Sequence, residues 1–257
     1  MNIICPICKK KLFKVENTYK CENNHSYDIA KQGYVNLSMQ KTQDTGDNPD
    51  MINARTNFLS KGYYSFLRDK VNELIDVNDT LLDLACGEGY YTSAFKAKEK
   101  IGIDLSKQGL KHASKNDLST TYILSSIFRN PIEDKSMDKI ITIFAPIAKQ
   151  EIYRILKDDG EFILVKPNVN HLIELKEVIY DNPYLNEIEE IEIDNMIIDS
   201  HIEIENKSLL SNSNLKNLFM MTPYIHSTSQ KDKDKLEHVD ELEVTFSFII
   251  DVYKKKI

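Results

Sequence analysis

The sequence lacks the features of several large classes of protein. None of its apolar runs is long enough to cross a bilayer, so we expect no membrane partner. Its first residues, MNIICPICKKK, lack the long apolar run of a signal peptide, and we therefore expect a cytoplasmic protein in which disulfides are not favoured. Internal repeats and low-complexity tracts are also absent. What remains is a chain of 257 residues, 41% hydrophobic and 28% charged, which is typical of a globular protein.

Excess positive charge is lacking as well. The formal net charge of −7 argues against a protein coated in basic charge for non-specific nucleic-acid binding. The charge is unevenly distributed, however, because residues 1–41 carry seven lysines against three acidic residues, whereas residues 187–205 are almost purely acidic. Within the acidic stretch, charged residues alternate with Ile and Met, which predicts an exposed strand or amphipathic edge. The basic end of the chain predicts contacts with phosphates.

Cysteine is scarce, and three of the four cysteines lie close to the N-terminus, in CPICKKKLFKVENTYKCENNHSYD. Cys5 and Cys8 are separated by two residues, and Cys21 and His25 by three. Two such pairs can close a tetrahedron around one zinc ion, and four protein ligands leave no open position for a reacting water. A redox CxxC pair belongs near a βαβ pattern, which does not follow here. The spacing therefore predicts a structural zinc site.

The rest of the chain alternates predicted strands and helices. Residues 41–50 are rich in Gly, Pro, Asn and Asp, which predicts a linker or mobile loop, and a helical pattern then runs from Met51 to Ile75 with a break at Gly62. Buried strands are predicted at 80–86, 100–104, 120–126, 138–144 and 160–166, with helices at 106–115 and 148–157. Such alternation predicts a parallel sheet covered on both faces, to which 240–253 adds an antiparallel strand.

The sharpest motif of this sheet is LLDLACGEGYYT, residues 81–92, in which a strand opens directly into a helix. Gly87 and Gly89 allow a tight turn and the close approach of a ligand to the backbone. The next strand ends in Asp104, whose carboxylate can accept both hydroxyls of a ribose. A Rossmann dehydrogenase would need a third glycine, whereas YYT follows Gly89 here.

This arrangement resembles the class I S-adenosylmethionine-dependent methyltransferases, whose consensus motif is D-x-G-x-G-x-G. Ala85 replaces the first glycine, which is a small departure because alanine can still pack there. The resemblance implies an α/β fold with a doubly wound, mostly parallel, Rossmann-like sheet of the seven-stranded type, and S-adenosylmethionine as the cofactor. The small N-terminal zinc-binding module is an addition to that fold.

The order of further motifs resembles one family, the bacterial 23S rRNA (guanine-N1)-methyltransferases, one subgroup of which is associated with macrolide resistance. The motifs, which together span essentially the full chain, are CPIC, HSYDIAKQGYVNL (25–37), GD (46–47), ARTNFLSKGYYSFLRD (54–69), CGEGYYT (86–92), SMDKIITIFAP (136–146), HLIELKEVIY (171–180) and MTPY (221–224). The resemblance implies methylation of N1 of a guanine in a hairpin of 23S rRNA, and a homodimer. The zinc module would recognise the RNA hairpin while the sheet holds the methyl donor.

The family resemblance also implies which residues contact S-adenosylmethionine. They are Tyr64, Gly87, Glu88 and His171, and the general logic of the fold adds Asp104 as the ribose acceptor.

Some of these assignments have simpler alternatives. Tyr64 could be a core aromatic residue, and the neighbouring Tyr63 could make the cofactor contact in its place. His171 could be a surface residue at the start of a helix. Asp83 is expected to order the glycine loop. Many base methyltransferases have an Asn/Asp-Pro-Pro-aromatic motif where this chain reads FAPI, beginning at Phe144, which offers no side chain to accept the N1 proton. No catalytic residue is therefore predicted.

The predicted organisation is a zinc-binding RNA-recognition module at 1–40, a linker and helical segment at 41–78, and a methyltransferase domain at 79–257. Two other functions remain open, namely methylation of a small molecule and non-catalytic RNA binding on a methyltransferase fold. The zinc module argues against the first, and the intact glycine loop with Asp104 argues against the second.

Overall fold

The computed structural model describes residues 2–39 and 48–256, so residues 41–47 of the predicted linker lie outside the described residues. The strands are β1 (Phe13–Val15), β2 (Thr18–Lys20), β3 (Ser26–Asp28), β4 (Val35–Asn36), β5 (Thr80–Leu84), β6 (Glu99–Asp104), β7 (Thr120–Leu124), β8 (Met137–Ile143), β9 (Leu156–Pro167), β10 (Met196–Ser211) and β11 (Glu241–Lys255). The helices are α1 (Pro49–Leu59), α2 (Ser65–Glu73), α3 (Tyr90–Ala94), α4 (Lys107–Asn116), α5 (Lys149–Ile155), α6 (Ile173–Ile179), α7 (Asn212–Met220), α8 (Tyr224–Ser227) and α9 (Gln230–Asp234).

The large sheet has the strand order β10-β11-β9-β8-β5-β6-β7-β4. Strands β4 to β9 pair in parallel, and β11 runs antiparallel to both β9 and β10. The order reverses direction between β5 and β8, which makes their carboxyl ends the place where ligands bind in doubly wound sheets. The predicted fold class is confirmed, and each strand predicted for this sheet between residues 80 and 166 and at 240–253 is present.

Apolar side chains cover both faces of this sheet. One face packs against α1, α2, α6 and α7, with Phe58, Leu67, Leu175 and Leu218 among the fully buried residues. The opposite face packs against α5 and against the N-terminal module. The near-continuous apolar runs of the central strands therefore follow from burial on both sides.

The helical segment before the sheet is split in two, as its sequence predicts. Asn48 caps α1 by accepting a hydrogen bond from the backbone N–H of Met51, at 2.9 Å. Gly62 lies between α1 and α2 with φ +81°, a conformation that glycine adopts without strain. Both helices contribute to the core of the large sheet through Phe58, Leu67 and Val71.

The N-terminal module contains a three-stranded antiparallel sheet of β1, β2 and β3. Beyond it, β4 joins the edge of the large sheet beside β7, and Ile3 forms a bridge with Ile132. Ile3, Leu12 and Leu37 are buried in the same apolar cluster as the sheet. The module therefore obtains part of its core from the large sheet.

The acidic stretch is only partly the strand that its alternating pattern predicts. From Met196 onward it forms β10, an edge strand with mostly exposed side chains, but residues 187–193 have no regular structure. In that first part, the backbone carbonyls of Glu189 and Ile191 accept hydrogen bonds from Lys166 and Tyr253 instead. Among the described residues, no helix is long and apolar enough to span a bilayer.

Candidate functional site

The predicted zinc ligands lie together. The ligand atoms of Cys5, Cys8, Cys21 and His25 are all within 4.8 Å of one another. Sγ of Cys8 is 3.6 Å from Sγ of Cys21, and Nδ1 of His25 is 3.4 and 3.5 Å from Sγ of Cys5 and Cys21. A tetrahedron with zinc–sulfur bonds of about 2.3 Å has edges of roughly 3.8 Å. The donor set and its spacing therefore fit one tetrahedral zinc ion.

Local backbone and one hydroxyl hold this cluster in place. Each ligand pair lies in a turn that has a residue in the left-handed region next to a ligand. These residues are Lys9, directly after Cys8, at φ +61°, and Asn24, directly before His25, at φ +62°. The N–H of Lys9 donates to the carbonyl of Cys5 at 2.9 Å, which closes the first turn. The hydroxyl of Tyr27 lies 3.2 Å from Sγ of Cys5 and can donate to its thiolate. Such outer contacts orient metal ligands.

The surface of the zinc module carries apolar side chains among its lysines, which the sequence analysis did not single out. All three residues of β1 are exposed, with Phe13 at 58% and Val15 at 51% of their full accessibility. The lysines are partly neutralised, since Lys10 pairs with Glu22 at 3.0 Å and Lys11 approaches Glu133 at 4.0 Å. Exposed pairs of this kind are weak, so the lysines remain available to phosphates.

A cavity of about 850 Å³ opens at the carboxyl ends of β5, β6, β8 and β9. This volume is within the usual range for a small-molecule or cofactor site. All five residues of the predicted cofactor set contribute to its wall: Tyr64, Gly87, Glu88, Asp104 and His171. They come from sequence positions more than 100 residues apart, and only the folded sheet brings them together. Their contacts with the cofactor stay a prediction.

Asp104 fixes the glycine loop as well as facing the cavity. Its Oδ2 accepts a hydrogen bond from the N–H of Gly87 at 2.8 Å, and its Oδ1 accepts one from the N–H of Ser106 at 2.6 Å. A carboxylate has about four acceptor sites, which makes it the kind of group that can accept ribose hydroxyls. The loop and the acceptor are thereby positioned as one unit.

The three positions of the glycine motif have different physical roles. Ala85 has φ +65°, so a glycine is usual at this position because of the backbone conformation, and the departure is more than the small change in packing expected from the sequence. Gly87 has φ +56°, and a Cβ built on it would make only an ordinary van der Waals contact, at 3.9 Å from Nη1 of Arg55. A Cβ on Gly89 would lie 2.7 Å from the hydroxyl of Tyr122. Gly89 thus serves helix packing, and Gly87 leaves room in the cavity.

Asp83 lies beneath the loop and is 3% exposed. The hydroxyl of Thr92 donates to its Oδ2 at 2.5 Å, which ties β5 to α3. Burial raises the pKa of Asp83 to about 7, against the opposing effect of that hydrogen bond. The expected role in ordering the loop agrees with this contact.

Tyr64 and His171 are both buried on the cavity wall. Tyr64 packs edge-on against Phe246 and Phe248, each with a centroid distance of 5.1 Å, so it is part of the core as well as of the cavity wall. Burial raises its pKa. His171 is not on the surface: its ring lies 4.6 Å from that of Phe248, and Nδ1 accepts from the N–H of Ser247 at 3.3 Å.

The state of the His171 ring follows from these contacts. Burial lowers its pKa to about 3, so the imidazole is neutral near pH 7. Since Nδ1 accepts a hydrogen bond, the proton of the neutral ring is on Nε2. The ring therefore presents one donor and no charge.

The cavity wall includes residues for which the sequence analysis assigned no role. Arg55 on α1 is an example: its Nη1 lies 3.7 Å from Oε2 of the buried Glu88. Phe144, Tyr224 and His226 contribute further wall surface from the end of β8 and from α8. Arg55 and Tyr224 belong to the motifs ARTNFLSKGYYSFLRD and MTPY, which was the only sequence signal for them.

Comparisons with known proteins support this geometry. The chain matches the family model for the N-terminal zinc ribbon of RlmA over residues 3–39 and a methyltransferase domain model over residues 75–237. Bacillus subtilis YxjB, provisionally named a 23S rRNA (guanine-N1)-methyltransferase, is 32% identical over 196 residues, which cover 70% of this chain and 69% of that protein. The 23S rRNA (guanine(748)-N1)-methyltransferase of Streptomyces fradiae is 29% identical over 186 residues, covering 68% and 66% of the two chains.

A solved structure with the same fold is phospholethanolamine N-methyltransferase 2 of Haemonchus contortus, with a TM-score of 0.52. It is 16% identical, and the match covers 96% of this chain and 71% of that one, so it supports the fold alone. Family, substrate class and cofactors rest on the closer relatives and on the zinc ribbon. The chain belongs to the 23S rRNA (guanine-N1)-methyltransferases, enzymes that use S-adenosylmethionine to methylate ribosomal RNA, and it carries their zinc ribbon.

Proposed function

We propose that this enzyme methylates N1 of a single guanine in a hairpin of 23S rRNA. The observation that carries the proposal is the joining of a four-ligand zinc ribbon to a methyltransferase sheet, in a chain of which two relatives named for this reaction match 70% and 68%. Methylation of a small molecule would leave the zinc ribbon without a role. A non-catalytic protein would have no need for an Asp104 held ready beside Gly87.

The predicted cofactor set has a physical basis for binding S-adenosylmethionine, which supplies an activated methyl group. Asp104 would accept the ribose hydroxyls, and Gly87 would let the ligand pass close to the backbone without meeting a Cβ. Tyr64 and neutral His171 would provide apolar wall and one N–H donor without placing a positive charge beside the sulfonium. Glu88 adds negative charge to the same wall.

The chain must also manage the proton of the target base, since N1 of guanine is protonated near neutral pH. Positioning of the base against the methyl donor supplies much of the rate in such displacements. The proton then leaves through a base or a water molecule. We assign no residue of the cavity wall to that step.

Recognition of the RNA is assigned to the zinc module, residues 1–40. Its lysines can neutralise phosphates, and the exposed Phe13 on β1 offers a face for stacking an unpaired base. The predicted segment 41–78 and the methyltransferase domain 79–257 complete the proposed organisation. We propose a cytoplasmic homodimer, as the family resemblance implies, and a macrolide-resistance role as a further hypothesis.

Reverse transcription of 23S rRNA tests the reaction directly. RNA lacking the modification is incubated with the enzyme and S-adenosylmethionine, and a primer-extension stop is expected one nucleotide before the target, because a methyl on N1 blocks base pairing. Nucleoside mass spectrometry of the same RNA should give 1-methylguanosine. Omission of S-adenosylmethionine is the control, and absence of 1-methylguanosine from the complete reaction would refute the proposal.

Two sets of variants test the cofactor site and the RNA-binding surface separately. Asp104→Ala should weaken S-adenosylhomocysteine binding, since a lost acceptor is worth about 1–3 kcal/mol. Replacing Lys9, Lys10 and Lys11 together with Gln should leave that binding unchanged but lower RNA affinity and flatten its dependence on salt. An unchanged salt dependence would show that these lysines do not contact phosphates.

A further inference from the structure

Phe144 is an aromatic residue on the cavity wall that the predicted cofactor set does not include. It directly follows β8, where its N–H donates to the carbonyl of Val165 at 3.1 Å. Its side chain is 41% exposed although most large apolar side chains around the sheet are buried. The residue contributes to the wall of the cavity.

The backbone of Phe144 is strained. Its φ is +54°, a left-handed conformation in which a bulky side chain is a genuine outlier. Such strain persists where the surrounding structure over-determines the conformation, and it clusters at functional sites. Among the described residues with positive φ, Ala85 and Leu172 also line this cavity. This strained conformation holds the ring on the cavity wall, where 41% of the side chain stays exposed.

The neighbours of the ring leave it partly free to receive a ligand. The ring centroid of Phe248 lies 5.2 Å from that of Phe144 and the ring centroid of Tyr64 lies 6.3 Å away, so two aromatic residues pack against the ring. Tyr64 belongs to the predicted cofactor set. A flat group resting on Phe144 would thus lie next to the cofactor.

We propose that Phe144 is the surface on which the target guanine stacks during methyl transfer. The inference rests on the proposed function, because it takes an RNA base as the group that is methylated. An enzyme acting on a base edge must take that base out of its stack, and the exposed base is then held by stacking on an aromatic or apolar side chain. Phe144 offers such a face beside the cofactor site. It belongs to the segment FAPI, which has no polar side chain that could hold the base by hydrogen bonds instead.

Phe144→Gly separates this role from a structural one. Glycine removes the ring contacts with Phe248 and Tyr64 but also relieves the left-handed backbone, so the unfolding midpoint should change little. Affinity for S-adenosylhomocysteine should stay within about twofold. The kcat/KM for 23S rRNA should fall roughly 5- to 150-fold, which is the range of one lost base–aromatic stack. Phe144→Trp should restore kcat/KM to within a few-fold of wild type.

A matched control and the wild-type enzyme complete the test. Tyr153 on α5 is 40% exposed and is not part of the cavity wall, so Tyr153→Ala should leave kcat/KM unchanged. A wild-type kcat/KM in Phe144→Gly overturns the proposal, and so does a loss of S-adenosylhomocysteine affinity equal to the loss of kcat/KM. If the wild-type enzyme makes no 1-methylguanosine in the same assay, both the proposed function and this inference are refuted.

Discussion

Asp83 and His171 predict opposite effects of pH on stability. Burial raises the pKa of Asp83 from its ordinary 3.8 to about 7. The folded protein therefore keeps a proton that the unfolded chain loses near pH 4. The stability from this group is fully present below pH 4 and is lost as the pH rises toward 7. The difference of about three pH units corresponds to about 4 kcal/mol.

His171 acts in the reverse direction. Burial lowers its pKa from 6.5 to about 3, so between those values the unfolded chain binds a proton that the folded protein does not. The stability from this group is fully present above pH 6.5 and is lost as the pH falls toward 3, by about 5 kcal/mol in all. Between pH 4 and 6.5 the two residues contribute slopes of about 1.4 kcal/mol per pH unit with opposite signs, which cancel.

Single variants should reveal the two pH dependences of stability that cancel in the wild-type protein. Without ligand, the free energy of unfolding of Asp83→Asn should rise with pH between 4.5 and 6.5, relative to wild type, because only the His171 effect remains. The free energy of unfolding of His171→Asn should fall with pH over the same range, relative to wild type, because only the Asp83 effect remains. The pH dependence of the double variant should again be parallel to that of wild type. Urea unfolding at fixed pH values measures these differences, and contributions from other groups cancel in the comparison. Parallel curves for Asp83→Asn and wild type would show that Asp83 is ionised in the folded protein and refute the reasoning.

The remaining predictions concern the glycine loop and the zinc site. Ala85→Gly should stabilise the protein by about 1 kcal/mol in urea unfolding, because it relieves a left-handed alanine; a loss of stability would contradict that assignment. Gly89→Ala should cost about 1–3 kcal/mol more than Gly62→Ala: both glycines have φ +81°, but only at Gly89 does the new Cβ meet neighbours closer than 3 Å. Cys21→Ser should abolish zinc and RNA binding in the full chain while S-adenosylhomocysteine affinity measured by calorimetry stays nearly intact, and retained RNA affinity would remove the recognition role from the zinc module.

Much of this protein could be predicted because the signals are local. Zinc ligands two and three residues apart must lie near each other, and the spacing of Cys5, Cys8, Cys21 and His25 predicts the cluster that the structure contains. The glycine loop is likewise one strand, one turn and one helix in sequence order. Apolar runs long enough to be buried on both faces predict the parallel strands, and the fold class follows from their alternation with helices.

What the sequence could not determine depends on contacts between distant segments. Alternating polarity over 187–205 predicts one strand, but in the first half of that stretch two carbonyl groups instead accept hydrogen bonds from Lys166 and Tyr253, which lie outside the stretch in sequence. The burial of His171 depends on Phe248 and Ser247 of the last strand. The strain of Phe144 likewise arises where β8 ends against β9.

The sequence by itself therefore determined the zinc cluster, the glycine loop and the sheet, because each is specified by residues a few positions apart or by a repeating pattern. Only the tertiary structure decided the shared cavity, the opposite pKa changes of Asp83 and His171, and the exposure of Phe144. Those properties depend on desolvation and packing, and both arise from side chains that meet only when strands and helices from the whole chain are assembled.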